Sequence, residues 1–129
     1  MIENKNVIVM DIDGTLCKKR KENENYLVVK PKKEILNKLK EYKDKNFYII
    51  LYTSRQMKTY KGNIGKINAN TAKILFQWLD KYEVPYDEIY FGKPWCGING
   101  FYVDDKAIRP EEFEKMDYNE ILKLIGEKK

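Results

Sequence analysis

The chain has 129 residues, enough for one domain with a buried core and too few for two domains of ordinary size. Hydrophobic residues make up 43% of it, which separates it from disordered tails. It contains no histidine, so a Ser–His–Asp triad and a His-ligated zinc site are both excluded. The formal charge of +5 comes from lysines interleaved with acidic residues, a pattern typical of a solvated surface, although such a field also attracts phosphorylated partners.

The two cysteines, Cys17 and Cys96, are far apart in the sequence and form no Cys-x-x-Cys pair. We expect them to be reduced thiols without a catalytic role. The longest apolar run, residues 47–52, is too short to cross a bilayer, and the N-terminus lacks the layout of a signal peptide. We therefore expect a cytoplasmic protein with no membrane partner.

The first predicted element is a strand over residues 6–10 (NVIVM), which ends at an acidic DIDG turn. A helix follows, opened by Pro31 in its first turn and closed at Asn46 by a left-handed residue. Its predicted apolar stripe consists of Ile35, Leu36, Leu39 and Tyr42. The next strand is predicted over residues 47–52 (FYIILY).

A second helix is predicted from Asn70 to Tyr82. Its predicted stripe consists of Ala72, Leu75, Phe76, Leu79 and Tyr82. Two shorter strands are predicted over residues 88–91 and 100–103. The tail from Pro110 onward is predicted to be helical, with these residues facing inward: Phe113, Met116, Ile121, Leu122 and Ile125. Residues 17–26 and 57–68 fit neither a helix nor a strand.

Strands that alternate with helices predict a three-layer α/β/α, Rossmann-like domain with a mainly parallel central sheet and right-handed crossovers. No composition shift or flexible linker divides the sequence. We therefore expect residues 1–129 to form a single domain, with a short flap over residues 17–27.

Polar and charged side chains follow each predicted strand. They are Asp11 and Asp13, Thr53 and Arg55, Lys93, and Asp104 and Asp105. In an open parallel sheet, ligands bind beyond the carboxyl ends of the strands. Four carboxylates at one sheet edge would repel one another unless a divalent cation lies among them, and oxygen ligands favour Mg²⁺. A lysine and a hydroxyl beside that cation suit the binding of a phosphoryl group.

Four of these segments resemble the four signature motifs of the haloacid dehalogenase superfamily. The stretch from Asp11 to Thr15 (DIDGT) resembles the first motif. Thr53, Lys93 and the Asp104–Asp105 pair resemble the second, third and fourth, in the same order along the chain. The DIDGT match is highly specific, whereas the single threonine and lysine gain their meaning from context.

The resemblance implies a role for each matching residue. Asp11 would be the nucleophile that becomes phosphorylated, and Asp13 would protonate the leaving oxygen and then activate water. Mg²⁺ would be bound by a carboxylate oxygen of Asp11, the backbone carbonyl of Asp13 and the acidic pair. Asp104 is the expected direct ligand, with Asp105 acting through water or by orienting its neighbours. Lys93 would hold phosphoryl oxygens.

Superfamily members carry cap insertions after the first motif or between the second and third. Residues 16–46 and 56–91 are too short for a cap domain, so the chain resembles capless members. The stretches TSRQMKTYKGNIGKIN, VPYDEIYFGKPWCG and GFYVDDKAIRPEEF further resemble small bacterial phosphatases of capsular polysaccharide biosynthesis. This resemblance implies a phosphorylated sugar or small building block as substrate, and it leaves room for a homo-oligomer that covers the open site.

Several assignments stay open in the sequence. Either Thr53 or Ser54 directs its hydroxyl at the phosphate, with Thr53 favoured by its place at the strand end. Arg55 is either a surface residue or an anion contact on the substrate side. Gly14 belongs to the substrate-binding set and also lets the backbone turn beneath the metal. Three aromatic residues either stack on substrate or pack, namely Tyr26, Tyr60 and Trp95.

Two other functions compete with the small-metabolite phosphatase. Capless relatives include phosphatases of polynucleotide ends, and the +5 charge suits a polyanion. The basic residues are dispersed, however, and no stripe of aromatic and basic residues is visible, so nucleic acid is not the expected partner. The second competitor is a non-catalytic protein that binds Mg²⁺ and phosphate on an inherited scaffold.

Overall fold

The computed structural model describes residues 6–126. The chain forms two compact units, the first ending at Trp95 and the second beginning at Cys96.

The first unit contains a parallel sheet of three strands in the order β1 (Val7–Asp11), β2 (Tyr48–Thr53) and β3 (Glu88–Phe91). All three strands are predicted from the sequence, and β1 and β2 lie one residue further along the chain than predicted. This shift matters for the site. Asp11 and Thr53 are the last residues of their strands, so the strand backbone fixes the direction of their side chains.

The helices of this unit are α1 (Lys33–Asp44), α2 (Ile64–Asn70) and α3 (Ala72–Lys81), with a 3₁₀ turn over Tyr26–Val28. Since β1, β2 and β3 follow one another in the sheet, right-handed crossovers place α1 and the α2–α3 pair on the same face. The strand side chains of one face are accordingly buried, and include Met10, Ile49, Leu51 and Thr53.

The buried residues of α1 are the four predicted from the sequence, and Asn46 adopts the predicted left-handed backbone with φ of 70°. Pro31, however, lies outside the helix, which begins after Lys32. The backbone at Pro31 is still extended because it forms a bridge with Cys17 in the loop after β1. This bridge ties the entry of α1 to the loop that carries Asp13.

The sequence predicts no helix over residues 57–68, and this prediction is wrong for α2. The side chain of Asn63 accepts a hydrogen bond from the backbone N–H of Lys66 and so caps the helix start. Ile67 is fully buried and anchors the short helix to the core. The glycines of this segment predicted a loop, whereas the cap and a single apolar anchor determine the local structure.

Helix α3 lies where it is predicted, but its buried stripe differs, and Tyr82 is only half-buried at the C-cap. Phe76 is 38% exposed, and Trp78 is fully buried instead. The indole N–H of Trp78 donates to the backbone carbonyl of Val29, in the segment that precedes α1. An indole that finds such a partner can be buried completely, and this long-range contact is not visible in the helical period.

The second unit contains α4 (Pro110–Lys115) and α5 (Tyr118–Leu124), so the predicted helical tail is two helices. The break falls at Met116, whose backbone is extended, and Asp117 then starts α5 with a capping box. The prediction of a strand over residues 100–103 is wrong, because those residues are not in a strand. Among residues 96–126 no strand is present to pair with that short run, and an isolated strand gains no ladder hydrogen bonds.

Candidate active site

The DIDGT loop forms a compact turn directly after β1. The carbonyl oxygen of Ile12 accepts hydrogen bonds from the backbone N–H groups of Thr15, Leu16 and Cys17 at 2.9–3.2 Å. Gly14 has φ of 90°, a conformation that favours glycine, and its N–H donates to the Cys17 carbonyl at 2.7 Å. The turn therefore holds the carboxylates of the first motif in fixed positions.

Asp11 lies between a hydroxyl and a cation. The hydroxyl of Thr15 donates to Oδ2 of Asp11 at 3.2 Å, and Nζ of Lys93 is 3.4 Å from Oδ1. Burial raises the pKa of the Asp11 carboxyl, and the Lys93 ammonium opposes that rise. A partly buried carboxylate beside an ammonium group is an arrangement suited to a nucleophile that attacks an anionic group.

Lys93 reaches Asp11 because of the backbone that follows β3. Gly92 has φ of 91°, and a Cβ atom at this position would lie only 2.7 Å from Cδ1 of Ile64. The N–H of Lys93 then donates to the carbonyl of Thr53 at 3.0 Å, which extends the pairing of β2 and β3 by one bond. The backbone angle therefore favours glycine, and a Cβ would in addition require the terminal methyl group of the exposed Ile64 side chain to move.

Asp13 is held by Arg55 in a bidentate ion pair. Nε of Arg55 donates to Oδ2 at 3.0 Å and Nη2 donates to Oδ1 at 2.8 Å. The Arg55 side chain is only 3% exposed, and its guanidinium stacks on the Tyr26 ring at 4.1 Å. The alternative of a surface arginine is therefore excluded. Parallel bonds of this kind fix the orientation of a carboxylate as well as its charge.

The hydroxyl of Thr53 is buried and accepts a hydrogen bond from the backbone N–H of Arg55 at 3.0 Å. This bond shapes the turn that leads from β2 to Arg55. The hydroxyl keeps its own proton for donation. Ser54 is half-buried, so its hydroxyl is less enclosed than that of Thr53. Which of the two meets a phosphoryl group stays a prediction.

The thiol of Cys17 lies beside the ion pair but is fully buried. Burial, and then the neighbouring Asp13 carboxylate, raise the pKa of this thiol to about 12. A thiol that stays protonated near neutral pH is a poor nucleophile. The absence of a catalytic role for Cys17 stays a prediction.

Asp104 and Asp105 belong to the second unit and are both exposed. Oδ1 of Asp104 accepts a hydrogen bond from the backbone N–H of Lys106 at 2.9 Å, which closes a turn. Their predicted role as metal ligands stays a prediction.

Within residues 6–95, no group of three acidic or cysteine side chains is placed to hold a metal ion. The first unit can supply a carboxylate oxygen of Asp11 and the backbone carbonyl of Asp13, since Arg55 engages both side-chain oxygens of Asp13. Hard oxygen atoms of this kind fit Mg²⁺. A nearby cation would also offset the burial that raises the pKa of Asp11.

Three contacts near the site are not predicted from the sequence. They are the Asp13–Arg55 pair, the stacking of Tyr26 on Arg55, and a hydrogen bond from Nζ of Lys32 to the carbonyl of Gly14 at 3.3 Å. One signal was present for Tyr26, an aromatic residue inside an otherwise polar, lysine-rich flap. No sequence signal distinguishes Lys32 from the lysines around it.

Fold and site together define a class of protein. The family profile of haloacid dehalogenase-like hydrolases matches residues 8–129, so the chain belongs to that family. The structure is similar to the crystal structure of a protein from Vibrio cholerae that carries only a target designation. The TM-score is 0.90 at 46% identity, over 96% of this chain and 99% of that one. No curated protein matches the chain.

These likenesses confirm two predictions from the sequence. The family is the one that the DIDGT motif indicates, and its members are hydrolases. The architecture is the α/β, Rossmann-like fold with parallel strands. In addition, no helix among residues 6–126 is long and apolar enough to cross a membrane.

Proposed function

We propose that the protein is a Mg²⁺-dependent phosphomonoesterase that forms a phospho-aspartate on Asp11. The observation that carries this proposal is that two ion pairs, Asp11–Lys93 and Asp13–Arg55, lie at the carboxyl ends of the three strands. Asp11 lies 3.4 Å from Lys93, and Asp13 lies 2.8 Å from Arg55. Phosphoryl transfer needs a nucleophile, an acid and positive charge in one place, and these residues supply all three.

In the first half of the reaction, an oxygen of Asp11 attacks phosphorus and the ester oxygen departs with a proton from Asp13. In the second half, Asp13 takes a proton from water, which attacks the acyl phosphate and regenerates Asp11. Thr15 orients the Asp11 carboxylate by binding Oδ2. Lys93 lies beside the other oxygen and neutralises charge on the phosphoryl group.

Magnesium, when bound, would neutralise charge on the phosphoryl oxygens. Asp11 and the carbonyl of Asp13 would hold it, and we propose Asp104 and Asp105 as its further ligands. The chain's own part in proton transfer depends on Asp13. Arg55 binds each of its carboxylate oxygens once and the Cys17 thiol also donates to Oδ1, so the second lone pair of Oδ2 remains for a proton. Arg55 thus positions the acid without blocking it.

For the substrate, we propose a phosphorylated sugar or small metabolite of capsule or surface polysaccharide biosynthesis, handled in the cytoplasm. This proposal is supported by the three stretches that resemble phosphatases of capsular polysaccharide biosynthesis, and by the short connections between the strands. The β2–β3 connection holds only α2 and α3, which supports a capless site open to solvent.

A direct test replaces Asp11 by asparagine and measures Mg²⁺-dependent hydrolysis of p-nitrophenyl phosphate. We expect the Asp11→Asn variant to lose at least about 10³-fold in kcat, since it removes the attacking oxygen anion. Lys45→Gln, a change at the exposed C-terminal cap of α1, serves as a control and should keep full activity. Mg²⁺-dependent turnover by Asp11→Asn near the normal rate would refute the assignment.

The polynucleotide alternative has its own signature. Binding of a 3′-phosphorylated oligonucleotide should weaken steeply between low and moderate salt, because phosphate contacts release counterions. Turnover of a sugar phosphate should depend on salt far less, since only one phosphate is engaged. If only the oligonucleotide is hydrolysed, and its turnover falls steeply as salt is added, the polynucleotide alternative replaces the metabolite proposal.

A further inference from the structure

The first unit contains a cavity of about 310 Å³ next to the Asp13–Arg55 pair. Its lining includes Tyr26, Arg55, Gln56, Tyr60, Asn70 and Thr71. Arg55 belongs to both places, because Nε and Nη2 bind Asp13 while the same side chain lines the cavity. The cavity therefore begins one side chain away from the proposed acid.

Two side chains of the lining carry buried polar atoms that have no hydrogen-bond partner among the described residues. They are Nη1 of Arg55 and Oγ1 of Thr71. Arg55 is 6% exposed and Thr71 is 5% exposed. Buried polar atoms in folded proteins are nearly always hydrogen-bonded, so a polar group bound at this part of the cavity wall would satisfy both side chains. One atom is a donor only, and the other can donate or accept.

The lining combines polar groups with apolar surface, including Ile74, and its charge is already compensated. The guanidinium of Arg55 is paired with the Asp13 carboxylate, and none of the other lining residues is charged. Gln56 and Asn70 contribute amides, and Tyr60 contributes an aromatic ring. Nδ2 of Asn70 donates to the Lys66 carbonyl, which leaves its amide oxygen as an acceptor. Amides, hydroxyls and an aromatic ring together suit a ligand with several hydroxyl groups and apolar C–H faces.

We propose that this cavity binds the neutral, hydroxyl-bearing organic group of the substrate, a single sugar-like unit, while its phosphate lies at Asp11. The volume is at the lower end of the range of about 300–1,000 Å³ for small-molecule sites, so it accommodates one small unit rather than a polymer. This inference rests on the proposed phosphatase function and adds the residues that recognise the leaving group.

The test compares two kinds of substrate with the full-length protein and Mg²⁺. p-Nitrophenyl phosphate carries no hydroxyl group on its leaving group, whereas a panel of pentose, hexose and acetamidohexose phosphates does. We expect the best sugar phosphate to exceed p-nitrophenyl phosphate at least about tenfold in kcat/KM, as several net hydrogen bonds allow. If p-nitrophenyl phosphate is hydrolysed in an Asp11-dependent way and no sugar phosphate surpasses it, the cavity proposal fails while the phosphatase function stands.

Thr71→Val then tests the cavity itself, because it removes the hydroxyl and keeps the shape. We expect KM for the best sugar phosphate to rise about five- to tenfold, the value of one hydrogen bond, and to rise more than KM for p-nitrophenyl phosphate. Thr71→Ser should restore binding. Thr59→Val makes the same change at an exposed position and should alter KM for neither substrate. Equal changes in both KM values would overturn the proposal.

Tyr60 provides an independent test if Thr71→Val does not fold, which a thermal melt would reveal. Tyr60→Ala removes the ring and should raise KM for the sugar phosphate, whereas Tyr60→Phe retains the ring and should raise it less. If both variants bind the sugar phosphate like the parent protein, Tyr60 is no part of the binding site and the proposal is wrong.

Discussion

Arg55 connects more parts of the site than any single motif residue. It binds Asp13 with two nitrogens, stacks on Tyr26, and carries the backbone N–H that binds the Thr53 hydroxyl. A planar guanidinium is suited to this position because it offers parallel donors in a fixed geometry. Arg55 is therefore a positioning residue for the proposed acid.

Arg55→Lys should test that positioning. Lysine keeps the charge but cannot form the parallel pair of bonds, so Asp13 would lose its fixed orientation. We expect kcat for p-nitrophenyl phosphate to fall about 10²-fold, the usual cost of misplacing a reacting group by about 1 Å. Arg109→Lys is the matched control, since the Arg109 side chain is 79% exposed, and it should leave kcat unchanged. Normal kcat in Arg55→Lys would show that the bidentate pair is unimportant.

Some features of the site could be predicted from the local sequence, and others depend on long-range packing. Asp11, Asp13 and Lys93 could be predicted from the sequence, because each follows or ends an apolar run and strand ends of a parallel sheet converge. The Asp13–Arg55 bond joins residues 42 positions apart, and its geometry depends on the packing of the DIDGT turn against the turn after β2. A spacing pattern contains no information about that packing.

Among the connections between elements, the turn after β3 combines two demands on one residue. Gly92 must adopt a positive φ and must also leave room for Ile64 at the start of α2. Gly97 provides a natural comparison, because it has φ of 79° and a Cβ there would meet nothing within 4 Å. Comparing alanine substitutions at Gly92 and Gly97 therefore separates the cost of the backbone angle from the cost of the Ile64 contact.

Gly92→Ala should lower the free energy of unfolding by about 1–2 kcal/mol through the backbone, and by a smaller amount because the terminal methyl group of the exposed Ile64 side chain must move aside. Gly97→Ala should cost only the backbone part. Urea denaturation measures both values. We also expect Gly92→Ala to reduce kcat, since it displaces Lys93 from Asp11. Equal losses of stability in the two variants would contradict the role given to the Ile64 contact.

Element prediction succeeds here where a long apolar pattern exists and fails where a single contact decides. The buried stripe of α1 follows from its period, and β2 follows from six apolar or aromatic residues in a row. Helix α2 depends on the Asn63 cap and on Ile67, and the exchange of Phe76 for Trp78 depends on a partner carbonyl before α1. The run 100–103 is too short to specify a strand without a pairing partner.

In the whole molecule, the proposed chemistry is concentrated in the first unit, between β1 and the turn after β3. The family profile nevertheless covers residues 8–129 and so includes the second unit, where the acidic pair lies. The net charge of +5 adds a weak attraction for phosphate esters without selecting among them. Selectivity is therefore expected from the cavity beside Arg55 and not from the general field of the protein.

The phospho-aspartate is the feature that separates this mechanism from direct attack by water. The full-length protein would be mixed with substrate and Mg²⁺, quenched in acid within milliseconds, digested and mapped by mass spectrometry. We predict one phosphoryl group on Asp11 and, with p-nitrophenyl phosphate as substrate, more of it in Asp13→Asn, because p-nitrophenolate leaves without a proton whereas the second step still needs Asp13 to activate water. Rapid turnover without a phosphoryl group on Asp11, or with the group on another residue, would contradict the proposed mechanism.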